Sequence, residues 1–185
     1  MTYPSHWGVR AAIASLIWLL GMLAAVAQQA GEVARADRVS PAVTRYSRVT
    51  PQIAAAGFLR EGALMELKTL GFAMVIDLRG PEEGTEHERR NAAMVALRYE
   101  NIPVTADIPA DAQIVAFARL VEDAGNHPML VHCASASRVG AMWALYRAAR
   151  GAPFDVALAE ARAIGLQGAR ERAVRERLAR PPFTK

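Results

Sequence analysis

One cysteine, Cys133, among 185 residues leaves no partner for an intramolecular disulfide, so stability rests on packing and the thiol is structural, reactive or incidental. Aromatic residues make up only 6%, and the most basic run, Arg170 to Arg180, contains none. With Glu171 and Glu176 interleaved, that run lacks the stacking faces of a nucleic-acid groove and reads as the solvated face of a terminal helix. The excess of positive charge is small, 22 Lys plus Arg against 18 Asp plus Glu. It favours anionic substrates by long-range attraction and does not indicate nucleic acid. His87, His127 and His132 show no metal-ligand spacing, so neither a metal nor another cofactor is expected. The sequence also lacks a phosphate-loop lysine signature, a Gly-x-Ser-x-Gly elbow, internal repeats and low-complexity tracts.

What is present is 52% hydrophobic and 22% charged, the makeup of one globular domain able to bury a core. Arg10 precedes a charge-free stretch, Ala11 to Ala27, that ends in Ala25-Val26-Ala27. This layout predicts a secretory signal peptide over residues 1–27, with export to the periplasm. The competing reading is an uncleaved anchor over residues 11–27, which would tie the protein to the inner membrane. Residues 28–43 are small and polar and read as a flexible lead-in. A single domain over residues 44–185 follows.

Within it, apolar alternation predicts strands near Tyr46–Val49 and Ile53–Leu59, and a helix from Gly62 to Leu70 stopped by Gly71. Ala73 to Leu78 is an apolar run bounded by Gly71 and Gly80-Pro81, as expected of a buried parallel strand. A helix over 86–96, a strand over 97–102 and a proline-broken loop over 103–111 come next. A helix over 111–124 is predicted with Asp111 as N-cap and Ile114, Val115, Phe117, Ala118 and Val121 buried. Pro128 to His132 reads as a second buried strand, followed by helices over 138–149, 154–164 and 170–178. The order predicts an α/β, three-layer fold with a mostly parallel central sheet flanked by helices. At the carboxyl end of the Ala73–Leu78 strand, Asp77, Arg79, Glu82 and Glu83 read as a structural ion-pair group, with Asp77 or Arg79 as possible borders of a pocket.

The informative join is His132-Cys-Ala-Ser-Ala-Ser-Arg138-Val-Gly140, which links a buried strand to a helix. Backbone N–H groups of such a turn, together with the helix N-terminus, form an anion cradle. The same field and a nearby guanidinium favour thiolate over thiol at Cys133. Arg138 can bind two oxygens of a tetrahedral anion at once. An isolated cysteine is more often a small buried hydrophobe, and only the whole arrangement points to chemistry. His132 is expected as a hydrogen-bonding neighbour of the loop rather than a base.

Ser47-Arg-Val-Thr-Pro51, the segment Leu67 to Arg79 with Glu83, and the loop His132 to Gly140 resemble the beta-lactamase-hydrolase-like phosphatases, bacterial relatives of dual-specificity and tyrosine phosphatases. The resemblance covers roughly Tyr46 to Arg150 and implies a cysteine-phosphatase-like fold. It implies hydrolysis of phosphomonoesters, on a phosphorylated protein or small molecule, through a phosphocysteine at Cys133. Arg138 and the loop residues Ala134, Ser135, Ala136, Ser137 and Val139 would bind the phosphoryl oxygens. A loop aspartate would protonate the leaving oxygen: Asp107 is preferred, because Asp111 has a structural explanation as a cap. Three features depart from the common pattern. Four residues rather than five separate Cys133 from Arg138, Ala136 stands where glycine is frequent, and Val139 where Ser or Thr is. The shorter loop also suits a rhodanese-like sulfurtransferase carrying a persulfide on Cys133. A non-catalytic phosphate-binding module and a redox-switched thiol complete the alternatives.

Overall fold

A computed structural model of the chain describes residues 39–180; the signal-peptide and anchor readings lie outside the described residues. Five strands, β1 (Ser47–Thr50), β2 (Ile53–Ala56), β3 (Met74–Asp77), β4 (Arg98–Asn101) and β5 (Met129–His132), form one sheet in the order β1-β2-β5-β3-β4. β1 pairs antiparallel with β2, and every other pairing is parallel. The mostly apolar runs occupy the middle: every residue of β2, β3 and β5 is buried, including Asp77 and His132 at the ends of β3 and β5, whereas β4, Arg-Tyr-Glu-Asn, alternates and takes an edge.

Among the described residues six α-helices surround the sheet: α1 (Ala63–Thr69), α2 (Thr85–Met94), α3 (Asp111–Glu122), α4 (Ser137–Ala149), α5 (Phe154–Ile164) and α6 (Gly168–Leu178). The two-residue period of the strands divides the core. Ile53, Ala55, Met74, Ile76, Met129 and Val131 pack with Ile114, Phe117 and Val121 of α3 and with Met142 and Leu145 of α4. Ala54, Ala56, Val75 and Leu130 face the other way, onto Ala63 and Leu67 of α1. The expected three layers result.

Two expectations need correction. Val115 is 51% exposed, because it falls outside the 114-117-121 stripe that faces the sheet. Asp111 is the first helical residue and not the N-cap: Ala110 holds that position, and the Gln113 side chain accepts a hydrogen bond from the Ala110 N–H at 2.8 Å.

Helix α4 is buried nearly all round, because α5 and α6 cover the side that the sheet does not. Its Gly140 is where they come closest: a Cβ there would lie 2.6 Å from the Ala161 carbonyl oxygen. Trp143 and Arg147 of α4 both donate to the Glu160 carboxylate of α5, at 2.7 and 2.9 Å. The parallel strands bring three loops to one edge of the sheet, residues 78–84 after β3, 102–110 after β4 and 133–136 after β5. A crevice outside the carboxyl ends of strands is where open α/β sheets bind ligands.

Candidate active site

Strand β5 ends at His132 and the chain passes through residues 133–136 into α4. The turn needs one left-handed residue, and Ala136 supplies it at φ 65°. A non-glycine residue there carries a strain of about 1 kcal/mol. Ala136 is fully buried against the turn between α5 and α6, where an ideal Cβ on Gly165 would lie 3.1 Å from its own. No side chain caps α4. Its first-turn N–H groups, those of Ser137, Arg138 and Val139, therefore keep their capacity for an anion at the positive end of the helix.

Cys133 is 1% exposed, with its N–H directed at the Ala56 carbonyl at 3.4 Å. Two residues before it Val131 faces α4, and Cys133 shares that face. The cavity beside the loop, about 360 Å³, is lined by Ser135 and Arg138 of the loop side, by Gly80, Glu82 and Glu83 after β3, by Val104 and Thr105 after β4, and by Arg170 of α6. Cys133 does not itself line it; its loop neighbours do.

Arg138 is anchored at several points. Nη1 and Nη2 donate to the two Glu83 oxygens at 2.6 and 2.5 Å, and Nη1 reaches the Leu78 and Val104 carbonyls at 3.3 and 3.4 Å. None of these bonds uses Nε, so the Nε/Nη2 edge keeps two donors for a tetrahedral anion. The Glu83 hydrogen bond raises the Arg138 pKa above its ordinary value against the effect of burial, and the interaction of the guanidinium with the Cys133 side chain adds to this. Reciprocally, the Arg138 hydrogen bond holds the Glu83 carboxyl below the usual range. Glu83 was legible only as part of an acidic group after β3; its role as the clamp of Arg138, 55 residues away, was missed.

Asp107 is exposed on the 102–110 loop, whose Val104 and Thr105 line the cavity while Asp107 itself does not. Asp111 is engaged elsewhere: its carboxylate accepts from Arg177 of α6 at 3.1 Å. Arg170 departs from the solvated-face expectation. It is half-buried, and its Nη1 donates to the Ala106 carbonyl at 2.9 Å and to the Asp107 carbonyl.

His132 does not neighbour the loop. The strand period turns it to the face opposite Cys133, into a buried charged group: Asp77 is its register partner across the sheet, and its Nε2 lies 2.8 Å from Glu88 Oε1. Neither ring nitrogen meets hydrogen-bond geometry. Arg79 binds both carboxylates, at 2.7 Å to Asp77 and 2.5 Å to Glu88, and Tyr99 donates to Asp77 at 2.7 Å. Burial would raise the Asp77 pKa, but the Arg79 hydrogen bond, the neighbouring His132 imidazole and the Tyr99 hydrogen bond together hold it below its usual value. Asp77, Glu88 and His132 are the group of described residues whose donors lie close enough for a metal, within 4.8 Å of one another. The Arg79 guanidinium already supplies the positive charge to both carboxylates, which argues for the structural ion pair.

Many solved structures share the fold at low identity, and three of them illustrate the range. P. aeruginosa TpbA in complex with phosphotyrosine is 21% identical, with 78% of this chain and 95% of that one covered and a TM-score of 0.55. The core catalytic domain of the S. cerevisiae PP-IP phosphatase SIW14, in complex with citrate, is 16% identical over 74% and 87% of the two chains, with a TM-score of 0.60. Tk-PTP in its active form is 19% identical over 72% and 95%, also at 0.60. A search of curated proteins gives no significant match. The family model described as DSP-PTPase phosphatase fused to NAD+ kinase matches residues 38–176, which take in every strand and the whole loop from Cys133 to Arg138. With its Cys133–Arg138 loop at the carboxyl edge of a mostly parallel sheet, the chain belongs to this PTP-NADK family of dual-specificity and tyrosine phosphatase-like proteins.

Proposed function

We propose that the protein hydrolyses phosphomonoesters through a phosphocysteine at Cys133. The observation that carries this reading is the Glu83–Arg138 pair, which fixes a guanidinium at the mouth of an uncapped helix and leaves its Nε edge for an anion. The phosphoryl oxygens would be held by that edge and by N–H groups from Ala134 to Val139, and the sulfur of Cys133 would attack phosphorus. The ester oxygen leaves with a proton from Asp107. Water then attacks the phosphocysteine, giving its proton back to the Asp107 carboxylate and releasing phosphate and thiolate.

Asp107 serves as acid through its loop, which the Arg170 hydrogen bonds tie to α6 beside the cavity. Substrates of this reading are phosphorylated proteins or small molecules, in line with the phosphotyrosine bound to TpbA and the PP-IP activity named for SIW14. Acid quenching during turnover and mass analysis of the peptide containing Cys133 tests the intermediate. A single phosphoryl adduct on Cys133 supports the reading, and an unmodified peptide during steady turnover rejects it.

The four-residue spacing between Cys133 and Arg138 favours one second reading, sulfur transfer through a Cys133 persulfide. Cyanide-dependent sulfur transfer from thiosulfate, indifferent to Asp107→Asn, would identify it. Export through residues 1–27 is retained as a proposal on the sequence alone; an N-terminus at Gln28 on protein recovered from the periplasm supports it, and an intact Met1 in the membrane fraction favours the anchor.

A further inference from the structure

The cavity beside the Cys133–Arg138 loop holds two guanidiniums, and they are neutralised differently. Arg138 has the Glu83 carboxylate on two of its nitrogens. Arg170 has only the backbone carbonyls of Ala106 and Asp107, both on Nη1, and no carboxylate among the described residues hydrogen-bonds to it. Its Nε and Nη2 donors are not used by these bonds. Both arginines line the same cavity, together with Ser135 and Thr105, and none of the described residues lining it is aromatic. A phosphorylated aromatic ring finds no stacking partner there, whereas a compact, highly charged group finds two cations and two hydroxyls. Glu82 also lines the cavity and sets a limit on how much negative charge it takes.

We infer that Arg170 is a specificity-determining residue that makes this a two-cation pocket for substrates carrying a second phosphoryl group directly beside the scissile one. The inference rests on the proposed phosphatase reading and names the substrate class of that same site. Arg138 takes the phosphoryl group under attack, and Arg170 takes its neighbour. Two like charges sit together in this cavity: burial lowers the Arg170 pKa and the Arg138 charge lowers it further, while the Asp107 carboxylate and Cys133 act in the opposite direction without reversing the net shift. An anion with charge on two adjacent groups relieves that repulsion better than a monophosphate can. A fork of planar donors also suits two closely spaced phosphoryl groups in a way that a lysine does not.

Because Arg170 also holds the loop of Asp107, its removal lowers all turnover, so the discriminating quantity is a ratio of affinities measured without turnover. Calorimetry on Cys133→Ser in the full chain, with inorganic phosphate and with methylenebisphosphonate as probes, gives that ratio. The bisphosphonate is expected to bind at least about tenfold tighter than phosphate, the scale of one charge-assisted hydrogen bond. Arg170→Met in the same background is expected to bring the two affinities to within about threefold, and Arg170→Lys to fall between. Matching thermal melts confirm that the variants fold. Equal affinities in the parent, a preference that survives Arg170→Met, or no binding of either anion overturns the inference. Failure of the phosphatase reading shows separately, as wild-type protein that binds these anions but hydrolyses no phosphomonoester.

Discussion

Glu83 and Arg138, 55 residues apart in the chain, meet as a fork on a fork, with both carboxylate oxygens on both terminal guanidinium nitrogens at 2.5 and 2.6 Å. The contact ties the turn after β3 to the first turn of α4. An arginine on a flexible side chain thereby becomes a fixed anion receptor, so the pair governs how the cavity presents its charge.

Replacing Glu83 by Gln keeps the shape and removes the charge-assisted pairing. Arg138 is then free to leave its productive orientation, and kcat/KM for an aryl phosphate is expected to fall about a hundredfold. A variant that retains wild-type steady-state kinetics shows that Arg138 is positioned by other contacts.

The same pair predicts a pH limit. Glu83 has a folded-state pKa below its ordinary value, so its contribution is present above the usual carboxylate range and lost as pH falls through the depressed value. Arg138 therefore stays clamped through the ordinary carboxylate range and is released only as pH falls through the depressed Glu83 value. A kcat/KM profile followed below the ordinary carboxylate range should show a further acid-side loss in the wild type that is absent from Glu83→Gln.

Asp107→Asn removes the proposed acid without touching the anion receptor. A fall in kcat of about 10²–10⁴ is expected for alkyl phosphates, and less for 4-nitrophenyl phosphate, whose leaving group needs little protonation. Asp111→Asn should change kcat little, since that carboxylate is engaged by Arg177. The reverse pattern, with Asp111 essential and Asp107 dispensable, would reassign the acid.

Buried charge beneath the site is expected to dominate stability. Asp77→Ala leaves Arg79 buried with one carboxylate fewer, and costs about 3–5 kcal/mol in urea denaturation. Because the folded Asp77 pKa is depressed, the wild type gains this stability above the ordinary aspartate range and loses it as pH drops below about 3.9. A variant with an unchanged urea midpoint shows the cluster to be dispensable.

Gly140→Ala tests the crossing of α4 over α5. The added methyl would sit 2.6 Å from a backbone oxygen, which cannot move as a side-chain tip can. A destabilisation of about 1–3 kcal/mol is expected, read as a lowered thermal midpoint.

The elements were legible because their signals are local. The apolar runs at 73–78 and 128–132, the glycine stop at Gly71 and the periodicity of residues 154–164 all reappear within a residue or two. The loop from Cys133 to Arg138 was legible for the same reason. Pairings across the chain were not. Nothing near Glu83 in the sequence names Arg138, and Arg170 sits in a run whose composition suits solvent, while the turn between α5 and α6 directs it into the cavity. His132 could have been placed better: strand alternation puts it opposite Cys133, on the face of Leu130, whatever the loop does. Val115 is apolar but lies off the helical stripe that faces the sheet, so its apolarity does not bury it.

The most direct test of the central claim is hydrolysis of 4-nitrophenyl phosphate by the purified protein, run beside Cys133→Ser across a range of pH. Turnover in the wild type that vanishes in the serine variant, with the fold intact by circular dichroism, is the predicted result. Turnover that persists in Cys133→Ser, or wild-type protein that hydrolyses no phosphomonoester yet moves sulfur from thiosulfate to cyanide, would contradict it.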